Sequence, residues 1–486
     1  MINYFLVGIK GNGMSSLALI IKEQGGNVFG VDKNTYFISQ EKLENANIKI
    51  YSEFDISLIN ENIDVVIYST AYKNHPLIKN LNEKYDTYSY VEYLAFLTKM
   101  SKSYGISGTH GKTTTSAATT FSLSYKSRKN FPFYSIFGSS LLNDNPYTFQ
   151  GNKAFLLEAC EYENHFHKYN LNGAVITSID FDHPDFFKSE KDVIDSFLQF
   201  AINIKKNGFL ILNVDDKNIK SLLKTIKEIR PDLNVITYGF YDNSIFRLEK
   251  DTLSSSYKVR ITHDELYNIK YFNRALVNDI LAAAIFSTCI LLDSDEVNLY
   301  LNENDIISDE VFTTVFRSSF KALENFNGVK GRLELKANYN NIIFIDDYAH
   351  HPSEIFVLIN EIKQRYPNRK LFAVFSFHTA SRTKALYKDF LQVLLLFDKL
   401  IITKTFMSAR MDKDEDNLDR KMVKDLNSKL LKSYKVRLAS VIYVENEAEL
   451  PSIISSMIEV DDVFISLGAS NNDTLYKDVI NELKKR

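Results

Sequence analysis

Short apolar runs alternate with helix-length amphipathic stretches along nearly the whole chain, the pattern of βαβ units and parallel sheets. A first block predicts strands at 4–7, 28–31 and 65–68. Between them a helix over 14–24 is stopped by Gly25-Gly26, and a last helix fills 90–100. A second block opens with a strand at 103–106 and continues with strands at 154–158, 174–179, 208–213 and 235–238. Residues 246–261 alternate polar and apolar positions, as an antiparallel hairpin appended to that sheet would, and a helix over 277–292 follows. A third block starts near Gly328 and predicts strands at 342–346, 371–375, 399–403, 441–444 and 462–467. The fold class is therefore α/β in three domains, 1–101, 102–327 and 328–486.

The length of 486 residues suits about three domains of ordinary size. A formal net charge of −3 gives no broad pull toward nucleic acid or an anionic membrane. The two cysteines, Cys160 and Cys289, have no metal-site spacing, which fits a reducing compartment and a cytoplasmic protein. The longest apolar run, 280–292, is shorter than the ~20 residues a membrane span needs, so it reads as a buried helix without membrane insertion. The N-terminus enters a strand without a basic leader, so no signal peptide is expected. The stretch 408–425, dense in charge, reads as a solvated loop and helix. The oligomeric state is not legible in these features.

The most informative stretch is Gly105-Ile106-Ser107-Gly108-Thr109-His110-Gly111-Lys112-Thr113-Thr114-Thr115-Ser116, between a strand and a helix-compatible run. Gly108 and Gly111 let backbone N–H groups curl around an oxyanion, and the helix N-terminus adds its dipole. Lys112 offers a point charge to the β/γ-phosphates and Thr113 a hydroxyl to Mg²⁺. The strict phosphate-loop spelling wants glycine at Ile106, and Gly105 stands one place off.

A second glycine turn, Gly8-Ile9-Lys10-Gly11-Asn12-Gly13-Met14, follows the first strand, with a shifted rather than strict dinucleotide spacing. Asp32 ends the second strand, roughly 20 residues after the last glycine, where a ribose-contacting acid sits; capping of the next turn is its plainer reading. Strand ends in open α/β sheets face the ligand crevice. Two acidic clusters lie there: Glu158-Ala159-Cys160-Glu161 and Asp180-Phe181-Asp182-His183-Pro184. Thr113, Glu158 and His183 would converge on Mg²⁺ at one sheet edge, imidazole being the less usual ligand. In the third block, Asp346-Asp347-Tyr348-Ala349-His350-His351-Pro352-Ser353-Glu354 and Phe377-His378-Thr379-Ala380-Ser381-Arg382-Thr383 end successive strands. His378 and Arg382, four apart, would share a helix face and present a cation to a carboxylate. Asn278 reads by default as a helix cap, and Lys330-Gly331-Arg332 as a basic pair at a hinge.

In this order the motifs closely resemble those of the Mur ligases of peptidoglycan synthesis, and among them the alanine-adding branch, from about residue 5 to about residue 472. The resemblance implies a Rossmann-like UDP-sugar domain, a central P-loop ATPase domain with a mostly parallel sheet and a Rossmann-like C-terminal domain. It implies ATP and Mg²⁺ as cofactors, and UDP-N-acetylmuramate and L-alanine as small-molecule substrates. Amide formation would pass through an acyl phosphate. By motif position, Gly8, Gly11, Asn12, Gly13, Met14, Asp32 and Ser69 would hold the UDP-sugar. Gly108, Thr109, His110, Gly111, Lys112, Thr113 and Thr114 would hold ATP, with Asn278 at the adenine, Asp347 at the ribose and Arg332 at a phosphate. Thr113, Glu158 and His183 would be the metal ligands. Tyr348, His350, His378 and Arg382 would form the alanine pocket, Arg382 pairing the alanine carboxylate. Lys112, His183, His350, His378 and Arg382 make up the catalytic set.

Three departures from the family pattern stand out. Arg274-Ala275 replaces a His-Asn pair before Asn278, Gly331 replaces the first arginine of the hinge, and Thr379 stands where arginine is common. Three other readings remain: a tripeptide-recycling ligase of the same family, a nicotinamide-dependent oxidoreductase and a non-catalytic nucleotide-binding regulator.

Overall fold

The computed structural model describes residues 1–486 apart from 36, 38, 56–58, 60–61, 126–130, 143–147, 150, 152, 242, 251–256, 261–265, 270–273, 295–309, 406–416, 433–436 and 469–473. It holds three sheets, one in each expected span. The chain forms two compact units: Met1–Phe181 with Ser189–Asn327, and Gly328–Arg486 with Asp182–Lys188. The short segment Asp182–Lys188 therefore belongs with the C-terminal unit, although the chain on both sides of it lies in the first.

In the first unit, the N-terminal sheet is wholly parallel, in the spatial order Lys49–Tyr51, Asn27–Val31, Asn3–Val7, Val65–Tyr68, Asp86–Ser89. Phe5, Val7, Phe29, Val31 and Val66 form one buried face, as a parallel strand covered on both sides requires. The helix Asn12–Glu23 stops where Gly25 takes a φ of +89°, which suits glycine alone at low cost. The helix Tyr90–Met100 starts on a capping box: Glu92 N–H donates to Ser89 Oγ at 3.3 Å, and Ser89 N–H to Glu92 Oε2 at 2.8 Å.

The second sheet of this unit has ten strands. Six run parallel through its centre: Asn234–Gly239, Phe209–Asn213, Gly173–Ile176, Ser103–Ser107, Ala154–Glu158 and Phe133–Ile136. Phe246–Lys250 joins in parallel, then pairs antiparallel with Tyr257–Arg260, which pairs with Leu266–Ile269. The expected hairpin is thus present, with one strand more. Thr148–Phe149 closes the other edge. Among the described residues, the helix Arg274–Ser294 is the one long and apolar enough to resemble a membrane span, but most of it is buried, with Val277 and Ile280 to Phe286 at the core.

The sheet of the second unit runs Glu334–Tyr339, Ile342–Asp347, Val463–Gly468, Leu371–Ser376, Lys399–Thr403, Ser440–Val444, with only Glu334–Tyr339 antiparallel. The charged stretch at 408–425 falls partly outside the described residues. Its helix, Leu418–Lys432, is not simply solvated: Leu418, Met422 and Leu426 are buried, which corrects that expectation. Three apolar residues at i, i+4 and i+8 suffice to seat a helix whose other faces are charged.

Candidate active site

The phosphate loop leaves the central strand Ser103–Ser107 and enters the helix Lys112–Ser124. Gly108 and Gly111 hold φ values of +137° and +83°, which L side chains rarely adopt. A Cβ on Gly108 would lie 2.0 Å from Thr177 Oγ1, and one on Gly111 2.5 Å from Asp279 Oδ1. The loop is pinned by the chain after the neighbouring strand. Thr109 N–H donates to the Ser178 carbonyl at 2.9 Å, His110 N–H to Ser178 Oγ at 2.9 Å, and Asp180 N–H to Thr109 Oγ1 at 2.9 Å. Thr177 and Ser178, just after the strand Gly173–Ile176, and Asp279, on the helix Arg274–Ser294, shape the loop without belonging to its motif, so only their place in the fold reveals them.

Lys112 Nζ donates to the Gly108 carbonyl, to Thr109 O at 3.2 Å and to Glu161, 3.1 and 3.0 Å from its two oxygens. Burial alone would draw the ammonium below its ordinary range; the Glu161 carboxylate, together with Cys160 and Glu158, more than offsets it and raises the pKa. Lys112 is therefore a charged lysine at any physiological pH.

Around Gly138 the parts of the first unit converge. A Cβ built there would meet Glu158 Oε2 at 3.3 Å and Thr113 Oγ1 at 3.8 Å, so the glycine keeps a ledge open between a carboxylate and a hydroxyl. That donor pair suits a hard divalent cation such as Mg²⁺. Asn12, from the N-terminal glycine turn, donates from Nδ2 to the Gly138 carbonyl at 3.0 Å. Two motifs more than a hundred residues apart in sequence thus meet on one ledge. Asn278 lies within the helix Arg274–Ser294, not at its cap; it is 8 % exposed, and its buried Oδ1 accepts no hydrogen bond. An orphaned buried acceptor beside Asp279, which itself abuts Gly111, fits a ligand donor at that point.

The N-terminal turn is packed more tightly than expected. A Cβ on Gly8 would press on the Tyr72 ring at 2.8 Å, and one on Gly13 on the Tyr90 hydroxyl at 2.5 Å, whereas Gly11 meets only Gly8 O at 3.5 Å. Met14 is buried in the core, so its side chain packs. Ser69 caps the turn Thr70–Tyr72. Asp32 is 3 % exposed and accepts from Lys10 N–H at 2.7 Å, Lys33 N–H at 2.8 Å and the Tyr72 hydroxyl at 2.9 Å. These donors give Asp32 a capping role and use three of the roughly four acceptor sites of its carboxylate.

In the second unit, Tyr348, His350, His378 and Arg382 come together. Ring centroids are 5.1 Å apart for Tyr348 and His350 and 5.0 Å for His350 and His378. Arg382, 4 % exposed, donates from Nε and Nη2 to the two oxygens of Asp182 at 2.8 and 2.9 Å, and from Nη1 to His378 Nδ1 at 3.0 Å. His378 must therefore carry its proton on Nε2. His350 Nδ1 lies 2.9 Å from the Tyr348 carbonyl, which fixes the proton there and the lone pair on Nε2. Burial pushes the His350 imidazole down to about 3, against the opposing pull of Glu354. Burial would raise the Asp182 carboxyl, but Arg382 beside it holds it well below the usual carboxylate range. His183, with φ +55°, shares this unit: its carbonyl accepts from the N–H groups of Phe186 and Phe187 at 2.9 Å each. It is thus placed with Arg382, while Thr113 and Glu158 lie in the first unit. Asp347 accepts from Leu333 N–H at 2.6 Å and Ala349 N–H at 2.7 Å; burial raises its pKa despite Arg332 nearby. The Arg332 guanidinium stands 5.1 Å from the Tyr348 ring centre. Sequence reasoning left out Asp182 and Glu354, the latter accepting the backbone N–H groups of both His350 and His351 at 3.0 and 3.2 Å. Their signal was present: each is an acid inside a motif already singled out.

Residues 3–104 match the Mur ligase family catalytic domain, residues 106–286 the Mur ligase middle domain and residues 331–470 the Mur ligase glutamate ligase domain. The UDP-N-acetylmuramate–L-alanine ligase of Borrelia garinii subsp. bavariensis is 33 % identical over 482 residues, 98 % of this chain and 97 % of its own. The chain belongs to the Mur ligase family. Among solved Mur ligases, the UDP-N-acetylmuramate–alanine ligase of Thermotoga maritima superposes with a TM-score of 0.72 at 22 % identity, covering 100 % of this chain and 99 % of that one. A murein peptide ligase of Psychrobacter arcticus gives a TM-score of 0.69 at 18 % identity, with the same coverage. Two departures from the Mur pattern have a describable local setting. Gly331 takes a φ of +66°, which the arginine usual there would adopt only with strain. Thr379 caps the short helix Ala380–Ala385, accepting from Arg382 N–H at 3.3 Å. The side chains of Arg274 and Ala275 lie outside the described residues.

Proposed function

We propose that this Mur ligase joins L-alanine to the lactyl carboxylate of UDP-N-acetylmuramate at the expense of ATP, in the cytoplasm. The observation that carries the reading is the ledge at Gly138. It brings Asn12 of the sugar-side glycine turn beside Thr113 and Glu158 of the phosphate-loop side. The near full-length likeness to alanine-adding ligases supports the choice of amino acid.

A carboxylate is a poor electrophile, and phosphorylation gives it a leaving group. The lactyl carboxylate attacks the γ-phosphorus, ADP departs, and an acyl phosphate forms. The alanine amine then attacks the acyl carbon, and the tetrahedral intermediate expels phosphate. Anion meets anion in the first step, so a positive environment is required. Lys112 supplies one charge toward the β/γ-phosphates, and the loop's backbone N–H groups supply dipoles. Thr113 and Glu158 would hold Mg²⁺, which would supply further neutralisation. Asn278 offers its buried Oδ1 to the adenine amino group. Tyr348, His350, His378 and Arg382 make the alanine pocket. Within it, His350 Nε2 is an acceptor and His378 Nε2 a donor, so the two rings present complementary groups to an amine and a carboxylate.

The test is phosphate release from ATP in the presence of UDP-N-acetylmuramate, with alanine, glycine, serine, other amino acids and the recycled tripeptide offered in turn. Alanine-dependent release that Lys112→Ala abolishes is the expected result. Release with the tripeptide alone would assign the recycling activity, and release independent of any acceptor would overturn the ligase reading.

A further inference from the structure

The phosphate-loop lysine is already engaged. Its ammonium has three N–H donors, and they meet the Gly108 carbonyl, the Thr109 carbonyl and the Glu161 carboxylate. Glu161 is 2 % exposed. Its backbone is held by a packed turn: Asn164 N–H donates to the Glu161 carbonyl at 2.9 Å and Phe166 N–H to the Cys160 carbonyl at 3.1 Å. Phe166 is fully buried and stacks on Phe200 with centroids 4.6 Å apart. The same turn carries Glu163, which pairs with Lys73 of the N-terminal domain at 3.1 Å. The carboxylate therefore stands on a fixed base.

Resting on the reading of this loop as a triphosphate site, we propose that Glu161 is a positioning residue that holds Lys112 in the nucleotide-free loop and competes with the nucleotide's phosphates for it. A phosphate oxygen reaches Lys112 only by displacing one of three acceptors. Two of them are carbonyls of the loop itself, so the acceptor that yields is the carboxylate. Once displaced, Glu161 remains a buried anion close to a polyanion, and the repulsion opposes binding. The arrangement keeps Lys112 charged and aimed while the loop is empty. It also sets a threshold that a ligand with few phosphate contacts does not cross.

The proposal predicts that neutralising Glu161 tightens nucleotide binding, the opposite of what loss of a merely structural ion pair does. The experiment is calorimetric titration of the full chain with ATP in EDTA, for wild type, Glu161→Gln and Glu161→Asp, with thermal melts alongside. Glu161→Gln is expected to bind ATP about tenfold more tightly, ~1.4 kcal/mol. Glu161→Asp, whose carboxylate retreats by one methylene, is expected to gain about threefold, ~0.7 kcal/mol, and it carries the test should the Gln variant not fold. A folded variant with unchanged or weaker affinity overturns the competition. Failure of the wild type itself to bind ATP, with or without Mg²⁺, would overturn the triphosphate reading of the loop instead.

Discussion

Arg382 grips Asp182 through two parallel N–H···O bonds of 2.8 and 2.9 Å, and its remaining terminal nitrogen donates to His378. The two residues stand 200 positions apart in the chain, and both are buried. The arginine expected to clamp the amino-acid carboxylate thus already holds a carboxylate of the protein. An amino-acid carboxylate held by Arg382 would share the guanidinium's two remaining N–H groups or take the place of Asp182.

Removing one partner of a buried pair leaves the other charge uncompensated, so Asp182→Asn should cost about 3–5 kcal/mol. The Asp182 carboxyl is depressed below its unfolded value of about 3.9, so the pair contributes fully above that pH and loses strength as pH falls. Urea denaturation at pH 7 and pH 3 should show the gap between wild type and variant shrinking by about 1 kcal/mol at the lower pH.

His350 acts in the same direction, at a higher pH. Its folded value of about 3 lies below the unfolded value of about 6.5, so the unfolded chain takes up a proton in that window and the native chain does not. Stability is therefore lost as pH falls from 6.5 toward 3. His350→Gln should gain about 2 kcal/mol on wild type between pH 8 and pH 5. In nuclear magnetic resonance spectra the His350 ring protons should not titrate between pH 5 and 8.

Gly138→Ala places a methyl group 3.3 Å from Glu158 Oε2 and 3.8 Å from Thr113 Oγ1. It should raise the Mg²⁺ concentration for half-maximal activity and leave ATP affinity in EDTA unchanged. A magnesium titration of phosphate release, beside metal-free calorimetry, separates the two effects.

Gly111→Ala must adopt φ +83° and displace Asp279 Oδ1. The backbone term alone is about 1–2 kcal/mol. Chemical denaturation should show that loss together with weakened ATP binding. Gly11→Ala, whose Cβ meets only Gly8 O at 3.5 Å, serves as the control and should be near neutral in stability.

Most central strands were legible because strands covered on both faces are unbroken apolar runs, as in Phe209–Asn213 or Leu371–Ser376; the four-residue Phe133–Ile136, interrupted by Ser135, was not. The strands Lys49–Tyr51, Asp86–Ser89 and Glu334–Tyr339 were not. They are edge strands or nearly so, mixing polar and charged residues, and their pairing is decided by the neighbour and not by their own pattern. The hidden apolar stripe of Leu418–Lys432 was masked by the charges around it.

The sequence by itself determined the α/β class, the phosphate loop and the strand-end motifs, because these are written in local periodicity and in glycines where the backbone must turn. Only the tertiary structure decided what those residues touch. It gave Asp32 a capping role, set Asn12 on the Gly138 ledge, joined Asp182 to Arg382 and gave Lys112 to Glu161. Charge pairing and close approach act through space, between atoms whose separation along the chain carries no signal until the sheets are assembled.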